Sequence, residues 1–271
     1  MNGASREALA AARERLDALT DNTSVDAARL ADELAAVTAL LDREVSLRRV
    51  LTDPAQPGEA KADLARLLLG NQVSGETADL LAGMVRSRWS QSRDLVDALE
   101  ELANIADLTA AERAGTLDDV EDELFRFSRI VSSNTELRAA LTDRAATAEA
   151  KSELLRSLLG GRAKATTVRL VTRLVTAPRG RSLESGLESL SKLAADRRER
   201  MVAVVTSAVP LSERQKQRLG AALAKVYGRP MHLNLDVDPA VVGGIRVRVG
   251  DEIINGAIAD RIEDAARRLA G

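Results

Sequence analysis

Side chains able to do acid–base or nucleophilic chemistry are scarce in this sequence of 271 residues. It contains no Cys and a single His, His232, which nearly excludes thiol catalysis, disulfide bonds and Cys/His zinc sites. A lone His can act as a general base, but no nucleophile with an orienting carboxylate is evident near His232. Its place on the outward face of a predicted strand favours a solvated histidine. We therefore expect no catalytic residue, no cofactor and no metal site.

Adjacent carboxylates and clustered glycines give no stronger signal of a chemical site. Glu100–Glu101 and Asp118–Asp119 lie on predicted helices, where neighbouring side chains diverge by about 100° and do not face each other. Gly243–Gly244 and Gly250 lack the glycine spacing of phosphate-binding loops, so they predict tight backbone turns.

The aromatic and basic residues bear on partners rather than on catalysis. The chain has one Trp, one Tyr and two Phe, too few for the stacking platforms of proteins that bind single-stranded nucleic acid. Trp89 has two interpretations: packing between amphipathic helices, which is the commoner case, or an exposed anchor for a partner.

A cluster of arginines toward the C-terminus leaves two alternatives open. Arg246 and Arg248 lie on one face of a predicted strand, and the segment before it contains Arg197, Arg198 and Arg200. Such a patch is compatible with RNA, and equally with an acidic partner helix.

Charge is distributed unevenly along the chain. The total is 39 basic and 41 acidic residues, a net charge of −2. Residues 1–116 hold 13 basic and 20 acidic side chains, whereas residues 117–271 hold 26 and 21. The difference suggests different partners at the two ends. No apolar run approaches the roughly 18 residues of a membrane span, so we expect any membrane association to come through a partner.

An internal repeat indicates which elements position these residues. Residues 51–70 and residues 141–160 match at twelve of twenty positions, at an offset of 90 residues. The apolar residues that flank both segments recur at helical spacing. The pattern predicts two related antiparallel helical bundles, over residues 1–108 and 109–200.

Several helix boundaries follow from the same pattern. A first helix over about residues 4–20 carries Ala8, Leu9, Ala12 and Leu16 on one face. A helix near residues 93–108 is expected to close the first bundle and open the second. Beyond it, Thr109-x-x-Glu112 is a possible capping box, and Thr116 is expected to cap the next helix.

Residues 201–271 follow a different period, because β-branched and alternating segments replace the helical stripes. A strand at residues 201–209, a helix opened by the Ser212-Glu-Arg-Gln215 capping box, three further strands and a final helix predict a β-α-β-β-β-α module. The fold class is therefore mainly α, with two related bundles and a small α+β module.

This C-terminal region resembles the delta subunit of bacterial F-type ATP synthases, the family of the mitochondrial oligomycin-sensitivity-conferring protein. The resemblance rests on the Ser-Ala-x-Pro-Leu turn, the Val-Asp-Pro…Gly-Gly-Ile-x-Val-x-Val-Gly-Asp hairpin and the terminal helix, which occur in that order over about 65 residues. The motif residues expected to serve structure or stalk docking are Ser207, Ala208, Pro210, Asp238, Pro239, Gly243, Gly244, Ile245, Gly250, Asp251 and Gly256.

The resemblance implies a non-catalytic stator subunit. In the family, the helical bundle grips the N-terminal helix of an alpha subunit, and the C-terminal module holds the end of the b-type stalk helices, so that the headpiece does not turn with the rotor. The resemblance also implies a peripheral position at the cytoplasmic face of the cell membrane and no nucleic-acid partner. An RNA- or ribosome-associated adaptor is the alternative.

One departure from the family pattern is the second helical bundle, which resembles the enlarged delta region of actinobacterial enzymes. We expect the first bundle to grip the alpha helix through Ala8, Leu9, Ala12 and Leu16, because its first helix looks like the family's opening helix. The second bundle is then expected to lengthen the bridge toward the stalk.

Overall fold

The computed structural model describes most of the chain and divides it into two compact units, Met1–Ala194 and Ala195–Gly271. The first unit is helical, and a four-stranded sheet characterises the second. This agrees with the mainly α class expected from the sequence. The described residues are 1–21, 24–199, 202–227, 231–238, 245–249 and 252–255.

Six helices form the first bundle, and a side-chain cap is present at the start of the second and the fifth. Asp26 caps the second helix by accepting hydrogen bonds from two backbone N–H groups, and Ser74 caps the fifth. The helices are α1 (Gly3–Asp21), α2 (Ala27–Arg43), α3 (Val45–Thr52), α4 (Gly58–Leu69), α5 (Gly75–Arg86) and α6 (Ser92–Arg113).

The second bundle repeats these elements with the same lengths. Its first four new helices begin and end 90 residues after α2 to α5, which confirms the repeat found in the sequence. They are α7 (Leu117–Ser133), α8 (Thr135–Thr142), α9 (Ala148–Leu159) and α10 (Ala165–Thr176), followed by α11 (Leu183–Glu199).

Helix α6 belongs to both bundles. It packs against α1 and α2 on one side and against α7 and α10 on the other, as expected for a helix that closes one bundle and opens the next. The capping box predicted at Thr109 is wrong, because α6 continues to Arg113 and the Thr109 hydroxyl donates to the Ile105 carbonyl inside the helix. Thr116 precedes α7, but its hydroxyl bonds to the Ala111 carbonyl and caps no N–H. The expected division between residues 108 and 109 falls inside α6.

One tertiary hydrogen-bond pattern recurs in both copies. Glu33 on α2 accepts hydrogen bonds from Ser74 and Thr77 at the start of α5, at 2.5–2.9 Å. Ninety residues later, Glu123 on α7 accepts from the Lys164 backbone N–H and from Thr167, at 2.9 and 2.5 Å. Each carboxylate thus fixes one helix to the start of another within its own bundle.

The first bundle's core is aliphatic, and it includes one aromatic ring. Trp89 is 7% exposed, and its indole N–H donates to the Met84 carbonyl at 2.8 Å. Trp89 therefore packs between helices, as in the first of its two interpretations, and is not an exposed anchor. None of the described helices is long and apolar enough to cross a membrane.

The second unit is built around a mixed sheet in the order β2-β1-β3-β4. Strands β1 (Val202–Ser207) and β2 (His232–Val237) are parallel and joined through α12 (Glu213–Tyr227), whereas β3 (Ile245–Val249) and β4 (Glu252–Asn255) form an antiparallel hairpin. The Ser212–Gln215 capping box is present, since Gln215 N donates to Ser212 Oγ and Ser212 N to Gln215 Oε1. The final helix expected from Ile258 to Leu269 lies outside the described residues.

Candidate partner-binding surfaces

The side chains predicted to grip a partner from α1 face the interior of the first bundle. Ala8, Ala12 and Leu16 are 6%, 3% and 0% exposed, and Leu9 packs against the same core. Their first role is therefore to hold α1 on the bundle. Their direct contact with an alpha-subunit helix remains a prediction.

Helix α1 is also fixed to α6 by polar contacts. The Ser5 hydroxyl donates to the Asp94 carboxylate at 2.7 Å and accepts from the Ser90 backbone N–H at 2.8 Å. Near the middle of α1, Arg13 Nε donates to Glu101 at 2.6 Å. These contacts hold α1 in place beside the turn between α5 and α6.

A cleft lies beside α1, with a volume of about 670 Å³. It is lined on one side by alanines and Glu7 of α1, and on the other by Pro54 and the turn at residues 87–90, which carries Arg88 and Trp89. Ala11 is exposed in its wall, and Ala8 contributes at its base. A cleft that combines small side chains with charged and polar ones is a surface on which an amphipathic partner helix can dock.

The two bundles are joined by buried ion pairs on α6. Asp107 is fully buried and contacts Arg169 and Arg173 of α10, the second at 2.9 Å, while Arg173 also donates to Asn104 at 2.6 Å. Burial raises the pKa of the Asp107 carboxyl, and the two guanidinium groups oppose that shift.

About two helical turns earlier on α6, Glu100 forms a second buried site. It pairs with Arg179 at 3.1 Å and with Arg181 at 2.5 Å, both from the link between α10 and α11. Arg179 also lies 3.6 Å from Asp42 of α2, so the link contacts the first bundle directly. Glu101 points instead to Arg13, which confirms that the adjacent carboxylates diverge.

The described part of the C-terminal motif organises the sheet. The buried Ser207 ends β1; its hydroxyl donates to the Val209 carbonyl at 2.7 Å, and its own carbonyl accepts from the Asp238 N–H at 3.0 Å. Ile245 is the antiparallel partner of Ser207 in β3. Ala208 is half-buried, and Pro210 is exposed before α12. The motif residues outside the described part are Pro239, Gly243, Gly244, Gly250, Asp251 and Gly256.

The candidate basic patch is only partly present on the described surface. Arg246 and Arg248 are exposed on one face of β3, and Arg198 is exposed at the end of α11. Arg197 is only 7% exposed, so it contributes little to such a surface, and Arg200 lies outside the described residues.

The expectation of no catalytic or metal site concerns His232 and clusters of acidic side chains. Position 232 lies in β2 as predicted, but the side chain of His232 is outside the described part. Among the described residues, no group of three or more His, Cys, Asp or Glu side chains is arranged to hold a metal ion.

Comparison with known proteins identifies the family. The family model described as ATP synthase delta (OSCP) subunit matches residues 105–269. The chain belongs to the ATP synthase delta (OSCP) family. The matched range begins within α6 and takes in the second helical copy and the C-terminal module; residues 1–104, with α1 to α5 and most of the shared helix, precede it.

Similar proteins share the whole length, including the first copy. The chain is 84% identical to ATP synthase subunit delta of Streptomyces coelicolor over 270 residues, covering 100% of this chain and 98% of that protein. It is 80% identical to the protein of the same name from Streptomyces griseus, and 49% identical to that from Thermobifida fusca, each covering 100% of both chains. The alignments with these delta-family proteins therefore include the residues of both helical bundles.

Proposed function

We propose that the chain is the delta subunit of an F-type ATP synthase, a structural component of the peripheral stalk that links the catalytic headpiece to the b-type stalk and resists rotor torque. The observation that carries this proposal is the similarity, over the full length, to proteins named ATP synthase subunit delta. The buried ion pairs on α6 support it, because a subunit under torque benefits from bundles that do not move separately.

The alpha subunit's N-terminal helix is the proposed partner of the first bundle. The cleft beside α1 supports this assignment, because its small, partly exposed side chains allow close approach of a second helix. In this arrangement, the inner face of α1 packs on the core of the first bundle through Ala8, Leu9, Ala12 and Leu16. The rim of the cleft then contacts the alpha-subunit helix. The second bundle then lengthens the connection toward the stalk.

The b-type stalk is the proposed partner of the C-terminal module. The motif residues Ser207, Asp238 and Ile245 maintain the sheet on which such a surface depends. Through these partners, the chain would lie at the cytoplasmic face of the cell membrane as a peripheral subunit. Neither the family match nor the similar proteins support the alternative of an RNA- or ribosome-associated adaptor.

Co-purification tests the proposal. An affinity-tagged full-length chain, expressed from its own locus, should bring down the alpha, beta and b-type subunits from detergent-solubilised membranes. Depletion of the chain should leave ATP hydrolysis by the detached headpiece intact and abolish ATP-driven proton pumping. Recovery of RNA and ribosomal proteins without ATP synthase subunits would instead establish the alternative.

A further inference from the structure

The second bundle contains an open pocket at the ends of three elements: α8, α9 and the link before α11. Its volume is about 740 Å³. The floor is apolar and includes Leu141 and Leu183, which are 1% and 5% exposed. Cationic side chains surround this floor, so the pocket combines aliphatic surface with positive charge.

Four cations and one anion line the pocket. Arg138 lies 3.6 Å from Glu184, and Arg181 is held by Glu100. Arg144 and Lys151 have no carboxylate partner among the described residues. The pocket therefore carries net positive charge in a chain whose total charge is −2.

The first bundle shares three of the pocket's polar residues, but they are less exposed there. Arg48, Thr52 and Lys61 are the counterparts, at the offset of 90, of Arg138, Thr142 and Lys151. Lys61 and Thr52 are 5% and 7% exposed. Thr142 is exposed and Lys151 half-buried, and the Arg48 side chain is 14% exposed against 39% for Arg138. The two cations that both copies share are therefore less accessible in the first copy than in the second.

The difference between the copies coincides with changes at two positions. The counterpart of the buried Trp89 is Arg179, whose backbone is left-handed (φ 49°) and whose side chain turns away to Glu100 and Asp42. Trp89 and Pro54 line one cleft in the first bundle, and the second has Arg179 and Arg144 at these two positions. A bulky indole and a proline are thus replaced by two arginines, one of which lines the pocket.

We propose that this pocket, defined by Arg138, Leu141, Arg144, Lys151, Arg181 and Leu183, binds an acidic segment of a partner protein in which aliphatic and carboxylate side chains alternate. Charge complementarity specifies the carboxylates, and the apolar lining of the pocket, in which Ala139 is exposed, specifies the aliphatic groups. A free inorganic anion would use the cations alone and leave the floor uncovered. The site is separate from the cleft beside α1 and does not require the chain to act in an ATP synthase.

The test uses the purified full-length chain and a fluorescein-labelled peptide of alternating Glu and Leu, followed by fluorescence anisotropy. The double variant Arg144→Glu/Lys151→Glu should weaken binding at least about tenfold, because each change sets like charges against the peptide. The neutral variant Arg144→Gln/Lys151→Gln should give an intermediate loss. The matched control is Arg49→Glu/Arg162→Glu, two exposed arginines outside the pocket, which should bind within about twofold of the unchanged chain.

Circular dichroism of each variant establishes that it is folded before binding is compared. Equal binding by the Arg144/Lys151 charge-reversal variant would overturn the proposal. So would equal binding of a peptide with Gln in place of Glu, or displacement of the acidic peptide by inorganic phosphate at matched charge concentration. Since no other subunit is present, these results do not depend on whether the chain co-purifies with ATP synthase.

Discussion

Glu100 and Arg179, 79 positions apart in the sequence, form a buried ion pair at 3.1 Å in which the side chains are 3% and 5% exposed. Glu100 belongs to the helix that both bundles share, and Arg179 lies in the link between α10 and α11. Because Arg179 also approaches Asp42 of α2, one guanidinium connects the two helical copies. The connection between the bundles thus depends on charges that are shielded from water.

Removal of the Glu100 carboxylate is expected to lower the free energy of unfolding substantially. Glu100→Ala leaves Arg179 and Arg181 without their shared carboxylate, and breaking a buried pair from one side typically lowers the free energy of unfolding by about 3 kcal/mol or more. Urea unfolding followed by circular dichroism measures the change. The control is the neighbouring residue: Glu101→Ala removes a half-exposed pair with Arg13 and should cost about 1 kcal/mol or less. Equal losses for the two variants would contradict the buried connection.

The single Trp makes coupling between the bundles measurable. Trp89 lies in the first core, so its fluorescence reports unfolding there, while circular dichroism reports all helices. Arg173→Ala, on α10 of the second bundle, removes contacts to Asn104 and Asp107 on the shared helix α6. Since α6 serves both cores, we expect the fluorescence and circular dichroism midpoints in urea to fall together. A fluorescence midpoint that stays unchanged would mean that the bundles unfold independently.

Glu33 is expected to make stability depend on pH. Burial raises the pKa of its carboxyl, but hydrogen bonds from Ser74, Thr77 and Arg29 outweigh this and lower the pKa from 4.5 to about 2. The folded state therefore favours the charged form. The resulting stabilisation is fully present above pH 4.5 and is lost as the pH falls toward 2.

The measurement is the free energy of unfolding between pH 3 and pH 6, in the chain and in Glu33→Gln. We expect the variant to lose about 2–3 kcal/mol at pH 6 and to differ less from the unchanged chain at pH 3. Glu14→Gln, at an exposed position on α1, controls for the general effect of removing one negative charge. A difference between chain and Glu33→Gln that does not vary with pH would contradict the prediction.

The sequence predicts elements better than it predicts the contacts between them. Local signals placed the Ser212–Gln215 capping box correctly, because it depends on residues only three positions apart. The repeat located α7 to α10 because every residue of one copy has a counterpart in the other. Thr109 was misplaced because a capping pattern inside a helix resembles one at a helix start, and only the packing of α6 in two bundles excludes it.

The buried charges were missed for a different reason. Glu100 and Asp107 resemble the solvated face of an amphipathic helix, and their partners Arg179 and Arg173 lie 66 or more positions later. The repeat does contain a sign of these buried charges. At the offset of 90, Gly83 and Trp89 in the first copy correspond to Arg173 and Arg179 in the second. At these two positions, the charges that replace a small and an apolar residue lie where the copies meet.

The cleft beside α1 gives the sharpest test of the proposed contact with the alpha subunit. Ala11 is exposed in its wall, so Ala11→Trp should fill the cleft without disturbing the core, and it should weaken binding of a synthetic alpha N-terminal peptide about tenfold or more. Ala10 is exposed on the same helix but does not line the cleft, which makes Ala10→Trp the matched control. Isothermal titration of the full-length variants measures both affinities. If Ala11→Trp binds as tightly as Ala10→Trp and the unchanged chain, the alpha helix does not use this cleft, and the second bundle becomes the place to look for it.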